Sequence, residues 1–567
     1  MNFDKNLQLF QDFLKKNNID FYLVFSNDEF LKESSNLNEN ARYLLSGFTG
    51  SAGDMLVTPD KAYLFVDGRY HIQVDEQTNP VFITPIKLQM GEKRNDKIFE
   101  IVKKSGIKNP KFALPSNKIS VAGFEALNKK LCKLNVEFLK SSEDDVCKFF
   151  ATKFEENVYK VWNVGIKQVG KTSAAKLKEL SKYENDFLLV FSNDEVCYLA
   201  NIRANQNPYS SSLNAFALLG RNVLYIFCDT QKLADEVKVV SDNLVYRDFC
   251  DFHTIVQSID GAIFYEPAKV PLSILEQMQN ANLILRQIKV SPVSKMKSRK
   301  NAKEMKYIEE CYHKSDIALL ETINFLQSNL AKNKKIRLGE FMEKLVSNQQ
   351  KQGVVGLSFN PILAINERSA IIHCTEFDKN QFIKNGDLIL LDFGVYFEGG
   401  YATDMTRTFV AGDKYGNELM KKVYTTVLKA FLNTLNYPIK KETTFFDLDK
   451  KARTVIKRAK LEGFNFNHGT GHGIGLNVHE MPPVLSSSNL AKKKLQAGMV
   501  FSIEPGLYRE NVGGVRLENS VCTIKTKDGI KIKSLTNLPF DEKLIIFEML
   551  TKREKIWLEE YQKKALK

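Results

Sequence analysis

The chain has 567 residues, 43% of them hydrophobic and 26% charged, with a formal net charge of +14. At roughly 100–200 residues per domain this length predicts about three domains with sizeable cores. The basic residues form no long block, so the charge reads as lysine-rich solvated faces rather than as a surface for nucleic acid or anionic lipid.

The eight cysteines are widely scattered and contain no C-x-x-C pair, the pattern of reduced thiols in a cytosolic protein rather than of a disulfide framework. The N-terminus MNFDKNLQLFQDFLKKNNID is broken by charges every few residues and lacks the apolar core of a signal peptide. No run approaches the ~20 apolar residues of a membrane span. Secretion and membrane insertion are therefore not expected.

In chain order, an amphipathic helix over Leu7–Lys16 precedes a buried strand run at Phe21–Phe25. The heptapeptide LVFSNDE at Leu23–Glu29 recurs at Leu189–Glu195, a separation of 166 residues (189 − 23). The surroundings recur with it: a helix over Ala174–Tyr183, a strand at Phe187–Phe191, and later apolar runs ending in aspartate, AYLFVD at Ala62–Asp67 and LYIFCD at Leu224–Asp229. Fixed-period self-similarity of this kind predicts two related α/β domains, about 1–145 and 146–290, with a polar seam near Ser141–Asp145. A second boundary near Ser291-Pro292 opens a third segment, 291–567. There, Lys300–Leu330 has helical periodicity, and LILLDFGVYF (Leu388–Phe397) and FSIEPGLY (Phe501–Tyr508) are the clearest strands.

Chemistry concentrates in this third segment. Asp392 follows LILL, Glu504 follows FSI, Glu518 sits in GGVRLEN and Asp404 in GYATDMTRT. One carboxylate in an apolar strand is most simply a structural ion pair, because an unpaired one costs several kcal/mol. Several together, near a histidine cluster, form a site of hard oxygen donors for two divalent cations. The cluster is HGTGHGIGLNVHE, carrying His468, His472 and His479. Its glycines exclude a regular helix, and with it a helical H-E-x-x-H zinc site.

These blocks resemble the pita-bread metallopeptidases of family M24, specifically the Xaa-Pro aminopeptidases of the three-domain cytosolic type. The matching segments are GLSF (Gly356–Phe359), AIIH (Ala370–His373), LLDFG (Leu390–Gly394), TDMTRTF (Thr403–Phe409), HGTGHGIG (His468–Gly475), NVHE (Asn477–Glu480), EPGLY (Glu504–Tyr508) and GGVRLEN (Gly513–Asn519). GFTGSAG (Gly47–Gly53) with VDGRY (Val66–Tyr70) resembles the family's first domain, YLANIRANQNPY (Tyr198–Tyr209) its second, and LPFD (Leu538–Asp541) with Glu554 and Trp557 its tail. The resemblance implies two creatinase-like α/β domains followed by a pita-bread catalytic domain, an α/β (α+β) protein. It implies a cytoplasmic homodimer that hydrolyses the N-terminal Xaa-Pro bond with a hydroxide bridging two divalent metals, Mn²⁺ by preference, with Zn²⁺ or Co²⁺ also suited.

By the same resemblance the metal ligands are Asp392, Asp404, His472, Glu504 and Glu518, with Asp404 and Glu518 bridging. Glu504 is also the general base, His373 and His479 hold the scissile carbonyl and its oxyanion, and His468, Arg516 and Tyr508 lie near the proline pocket. Arg69 and Arg203 fit either a substrate or interface role or plain structural pairing. Three departures stand out. Asp392 and Asp404 are 12 residues apart (404 − 392), one more than is usual, which places an added residue in the hairpin around Glu398–Gly400. INERS (Ile365–Ser369) replaces a glycine- and asparagine-containing turn, and Cys374 stands where an aromatic is common. The competing readings are a prolidase, which must recognise the carboxylate directly after proline, a metal-free pita-bread peptide-binding protein, and, from charge alone, a nucleic-acid-binding protein. Two N-terminal domains favour the aminopeptidase over the first, and the complete ligand set favours it over the second.

Overall fold

The computed structural model describes residues 2–37, 39–150, 158–180, 186–221, 223–238, 241–281, 283–414 and 416–565. The chain divides into two compact units, one built mainly from residues 1–292 and the other mainly from residues 293–567.

In the first unit, helix α1 (Phe3–Lys16) buries Leu7, Phe10 and Leu14, the i, i+3, i+7 stripe of an amphipathic helix, and Asn2 caps it. Strands β1 (Phe21–Val24), β2 (Asp54–Val57), β3 (Ala62–Val66), β4 (Ile83–Lys87), β5 (Lys111–Pro115) and β6 (Glu137–Ser141) form a mixed sheet in the order β4-β3-β2-β1-β5-β6. A short helix α2 (Ser173–Lys178) precedes the second set, β7 (Phe187–Val190), β8 (Phe216–Gly220), β9 (Val223–Phe227), β10 (Leu244–Arg247), β11 (Ala262–Tyr265) and β12 (Ile284–Gln287). Their order, β10-β9-β8-β7-β11-β12, is that of the first sheet. The helix expected over Ala174–Tyr183 ends at Lys178, and its last residues lie outside those described.

Like contacts like where the repeats meet. Ser120 and Pro271 form an antiparallel bridge, and Val121 N and Leu272 N donate to Val270 O and Ile119 O at 2.9 Å each. Phe112 of β5, opposite Phe21, and Ile263 of β11, opposite Phe187, hold equivalent places in their sheets and are offset by 151 (263 − 112), as are Ser120 and Pro271 (271 − 120). Equivalent residues thus pair across a local two-fold axis, the isologous arrangement of a symmetric dimer within one chain. One apolar core containing Phe21, Phe112, Leu189 and Ile263 serves both sheets. Arg69 pairs with Asp67 at 2.8 Å, and Arg203 is buried, donating to the carbonyls of Cys197 and Ile202.

In the second unit, a short helix at Pro292–Lys297 is followed by α3 (Ala302–Ala331), capped by an Asn301/Glu304 box, and α4 (Leu338–Lys351). An antiparallel sheet follows: β13 (Ile362–Ile365), β14 (Leu388–Phe393) and β15 (Met405–Val410). Helices α5 (Glu418–Leu435) and α6 (Phe445–Arg458) come next in the chain, then ribbon β16 (Gly471–His472) with β17 (Val484–Leu485). Strand β18 (Val500–Ile503), ribbon β19 (Gly506–Arg509) with β20 (Gly513–Arg516), strands β21 (Glu518–Thr526) and β22 (Gly529–Ser534), and helix α7 (Lys552–Lys564) complete the unit. The sheet order is β13-β14-β15-β21-β18, with β22 against β21. Val423, Val427 and Phe431 of α5 and Phe445 and Leu448 of α6 share a core with Phe501 and Ile503 of β18 and Val515 of β20.

Both long strands expected from sequence are broken. LILLDFGVYF is β14 and a separate two-residue strand, Val395–Tyr396, with Gly394 between them. A Cβ on Gly394 would lie 2.0 Å from Thr403 O, so only glycine lets the chain approach there. FSIEPGLY is β18 and β19, interrupted by Glu504-Pro505, where proline has no N–H to continue a ladder.

Candidate active site

The sheet register assembles the carboxylates. Asp392 on β14 stands opposite Thr406 on β15, and Thr406 stands opposite Glu518 on β21. Directly opposed residues in antiparallel strands project to the same face, so the two carboxylates flank Thr406 in one row. Asp404 lies two residues before Thr406, on the same face by the two-residue period. The β14–β15 ladder runs unbroken from Leu388–Val410 to Phe393–Met405, so the longer Asp392–Asp404 spacing introduces no bulge within it.

The histidine segment reaches this face through β16. A Cβ on Gly471 would sit 2.0 Å from Ser502 O, so glycine permits β16 to lie directly on the end of β18. Ser502 Oγ accepts from His472 N at 3.1 Å, and Glu504 N donates to Thr470 O at 2.8 Å. The break after Ile503 therefore holds the Glu504 side chain beside the His472 ring. His472 Nε2 lies 3.3 Å from Asp404 Oδ2 and 3.4 Å from Glu504 Oε1. One donor atom each from Asp404, His472 and Glu518 falls within a mutual distance of 4.8 Å.

Arg516 on β20 binds this row together. Its guanidinium donates to Asp392 Oδ2 at 2.7 Å, Thr406 Oγ1 at 3.1 Å, Tyr508 Oη at 2.9 Å and Ile372 O at 3.2 Å. Tyr508 Oη is 2.9 Å from His468 Nε2, and His468 Nδ1 is 3.7 Å from Glu504 Oε2. His479 is exposed, its ring edge-on to His472 with centroids 4.4 Å apart. His373 is half-buried, one residue after Ile372, whose carbonyl Arg516 holds. The ten predicted residues thus occupy one neighbourhood of the second unit.

The electrostatics are those of crowded, desolvated anions. Burial, with Asp404 and Glu504 nearby, pushes the Asp392 carboxyl up to about 7 despite Arg516. Burial also raises Glu504, opposed by His472, and raises Glu518 well above the carboxylate range. Burial disfavours the His472 imidazolium, but the Asp404 hydrogen bond and the charges of Glu504 and Asp404 outweigh it and lift the ring to about 9. Asp392 Oδ1 and Glu518 Oε1 are buried and receive no hydrogen bond from the protein. Buried polar atoms are rarely left so. Carboxylates that bind protons this avidly, with orphaned oxygens and an imidazole beside them, fit divalent cations.

Thr406 and Ser502 orient ligand-type side chains and were not singled out from sequence; Thr406 stands inside the matched TDMTRTF block, so the signal was present. Glu480, also inside a matched block, and Lys297 and Lys300 were likewise unassigned.

Sequence signatures of the creatinase/prolidase N-terminal domain match residues 6–144 and again 155–304, and that of metallopeptidase family M24 matches residues 306–524. The fold and site therefore define an M24 metallopeptidase with two creatinase-type domains ahead of it. A probable Xaa-Pro aminopeptidase P of Botryotinia fuckeliana is 30% identical over 600 aligned residues, covering 99% of this chain and 89% of that protein. The chain belongs to the Xaa-Pro aminopeptidase P family. The X-prolyl aminopeptidase of Caenorhabditis elegans, a cytosolic enzyme with a di-nuclear active site, superposes with a TM-score of 0.88 at 23% identity, covering 96% of this chain and 90% of that one. A prolidase from Pyrococcus horikoshii superposes with a TM-score of 0.53 at 26% identity, covering 99% of its own length but 66% of this chain.

Proposed function

We propose that this chain is a cytoplasmic, homodimeric metallo-aminopeptidase that removes the first residue from peptides whose second residue is proline. The observation that carries the reading is the Asp392–Thr406–Glu518 row with Asp404, His472 and Glu504 beside it and two buried carboxylate oxygens lacking protein donors. Asp392, Asp404, His472, Glu504 and Glu518 hold two divalent cations, and the oxygen-rich set suits Mn²⁺. When bound, the cations supply a hydroxide nucleophile at neutral pH and polarise the scissile carbonyl.

The side chains do the rest. The Glu504 carboxylate accepts the nucleophile's proton, a role served by burial raising its proton affinity. His479 and His373 donate to the oxygen where negative charge develops. Arg516 spends its donors on Asp392, Thr406, Tyr508 and Ile372 O, so it works by fixing Asp392 and the Tyr508–His468 pair that walls the proline side. The scissile bond before proline is a tertiary amide without an N–H, so recognition falls on the carbonyl and the ring. The scattered cysteines, with no C-x-x-C pair, support a reducing compartment, and no helix among the described residues is long and apolar enough to cross a membrane.

The test is hydrolysis of Arg-Pro-Pro, Ala-Pro and Ala-Ala-Pro by chelator-stripped protein reloaded with Mn²⁺, beside Glu504→Ala. Metal-dependent release of arginine from Arg-Pro-Pro, lost in the variant, is expected. Cleavage of Ala-Pro alone would make the chain a prolidase, and no turnover by folded, metal-loaded protein would favour a binding module.

A further inference from the structure

Between His472 and His479 the chain makes a narrow excursion that returns on itself. Glu480 N donates to Gly473 O at 2.8 Å, and Gly475 N to Asn477 O at 3.0 Å. The two residues joined by the first bond each follow directly on one of the histidines whose rings meet at 4.4 Å and 86°. The ring contact is therefore set by how this loop closes.

Glu480 closes it from inside. Its side chain is 2% exposed, Oε2 accepts from Leu476 N at 3.0 Å and pairs with Lys297 Nζ at 3.0 Å, and Oε1 accepts from Lys300 Nζ at 2.7 Å. A Cβ on Gly475 would lie 2.0 Å from Oε2, so the loop wraps the carboxylate with no space between. Lys300 is itself anchored: its N donates to Gly498 O at 2.7 Å, two residues before β18, the strand that ends at Glu504. Both lysine side chains are as buried as the carboxylate, at 3% and 2%. Desolvating three charges costs more than packing apolar groups of the same size. What the bonds from Leu476 N and both lysines to one carboxylate do fix is the position of the loop.

We propose that Lys297, Lys300 and Glu480 are positioning residues that hold His479 against His472 and act on the reaction through His479. This rests on the role given to His479 above. Glu480→Gln keeps the shape and removes the charge. In the full-length, metal-loaded chain acting on Arg-Pro-Pro, kcat falls about 10–100-fold, KM stays within about twofold, and bound metal by elemental analysis stays at the wild-type level. Loss in kcat without KM marks a contact made in the transition state. Lys300→Met loses as much as Glu480→Gln. Adding Glu480→Gln to His479→Ala costs nothing further, within about twofold. In a crystal structure of Glu480→Gln the His472–His479 centroid separation departs from its 4.4 Å. Wild-type kcat in Glu480→Gln, losses that multiply in the double variant, or an unmoved ring separation would each overturn the assignment. An inactive wild type with the ring displacement seen in the variant would sink the aminopeptidase reading instead and leave the positioning intact.

Discussion

Thr406 and Glu518 face each other across adjacent antiparallel strands, and the Thr406 hydroxyl donates to Glu518 Oε2 at 2.8 Å while accepting from Arg516 Nε at 3.1 Å. One hydroxyl thus ties Glu518 to the arginine that holds Asp392. It also orients Glu518 so that Oε1 is left for something other than a protein donor. Thr406→Val keeps the β-branched shape and removes both bonds. Metal affinity is expected to fall about 10–100-fold with the fold intact, measured by equilibrium titration against a competing chelator. Unchanged affinity would show that Glu518 needs no such support.

The metal-free site predicts a pH dependence. His472 is held protonated up to about 9 by Asp404 and Glu504, against its burial, but a ligand imidazole must be neutral. Below that pH each binding event displaces the proton, so the imidazole alone should raise apparent affinity by up to about tenfold per pH unit from pH 7 toward 9, in addition to any proton displaced from Glu518. The same raised pKa stabilises the metal-free chain fully below an unfolded value of about 6.5, and that contribution disappears as pH rises through 9. Chelator-competition titrations at pH 7, 8 and 9 read the first effect. Affinity independent of pH would remove His472 from the ligand set.

Asp316 offers a second titration, outside the ligand set. It is buried in α3, its Oδ2 accepts from Asn537 N at 2.6 Å, and burial pushes it up to about 7 against that bond and Arg407. A carboxyl raised in the folded state stabilises fully below its unfolded pKa of about 3.9, and the contribution is lost as pH rises through 7. Asp316→Asn keeps the acceptor and cannot ionise. Its thermal midpoint relative to wild type should therefore improve from pH 5 to pH 8.5, by an amount on the order of a few kcal/mol in stability. A difference constant with pH would contradict this.

Arg407 joins the sheet to the C-terminal segment. It is buried and donates to Thr406 O, Glu518 O, Asn519 Oδ1, Pro539 O, Leu538 O and Tyr561 Oη, at distances from 2.7 to 3.2 Å. Arg407→Met leaves these acceptors desolvated and unpaired, a loss of about 3–5 kcal/mol. Differential scanning fluorimetry should show a fall of about 10 °C, and truncation before α7, which removes Tyr561, should shift the midpoint in the same direction. A midpoint within about 2 °C of wild type would mean that solvent replaces the lost donors.

The repeat, the helix over α3 and the residues that the fold gathers around Asp392 and His472 were legible in the sequence because each is a local signal. A heptapeptide recurs, an apolar stripe has a helical period, and short blocks carry carboxylates and histidines in recognisable order. What was not legible depends on partners far away in the chain. Thr406 stands in a matched block, yet nothing local says that it faces Glu518, 112 residues on. Glu480 is likewise in a matched block, but its lysines are 180 residues or more away. The long strand runs misled for the opposite reason: apolar continuity predicts a strand and is silent about a backbone that must break to fit Thr403 against Gly394 or to carry Glu504 past Pro505.

By itself, then, the sequence determined which chemical groups this protein brings to its site and the order in which the chain presents them. The tertiary structure alone decided the row of Asp392, Thr406 and Glu518, the meeting of His472 with Asp404 and Glu504, and the three-charge clamp behind His479. Strand register and loop closure are settled by which faces bury and which polar atoms find partners. Those conditions are met only when segments distant in the chain come together, from Glu504 and His472, 32 residues apart, to Lys300 and Glu480, 180 apart.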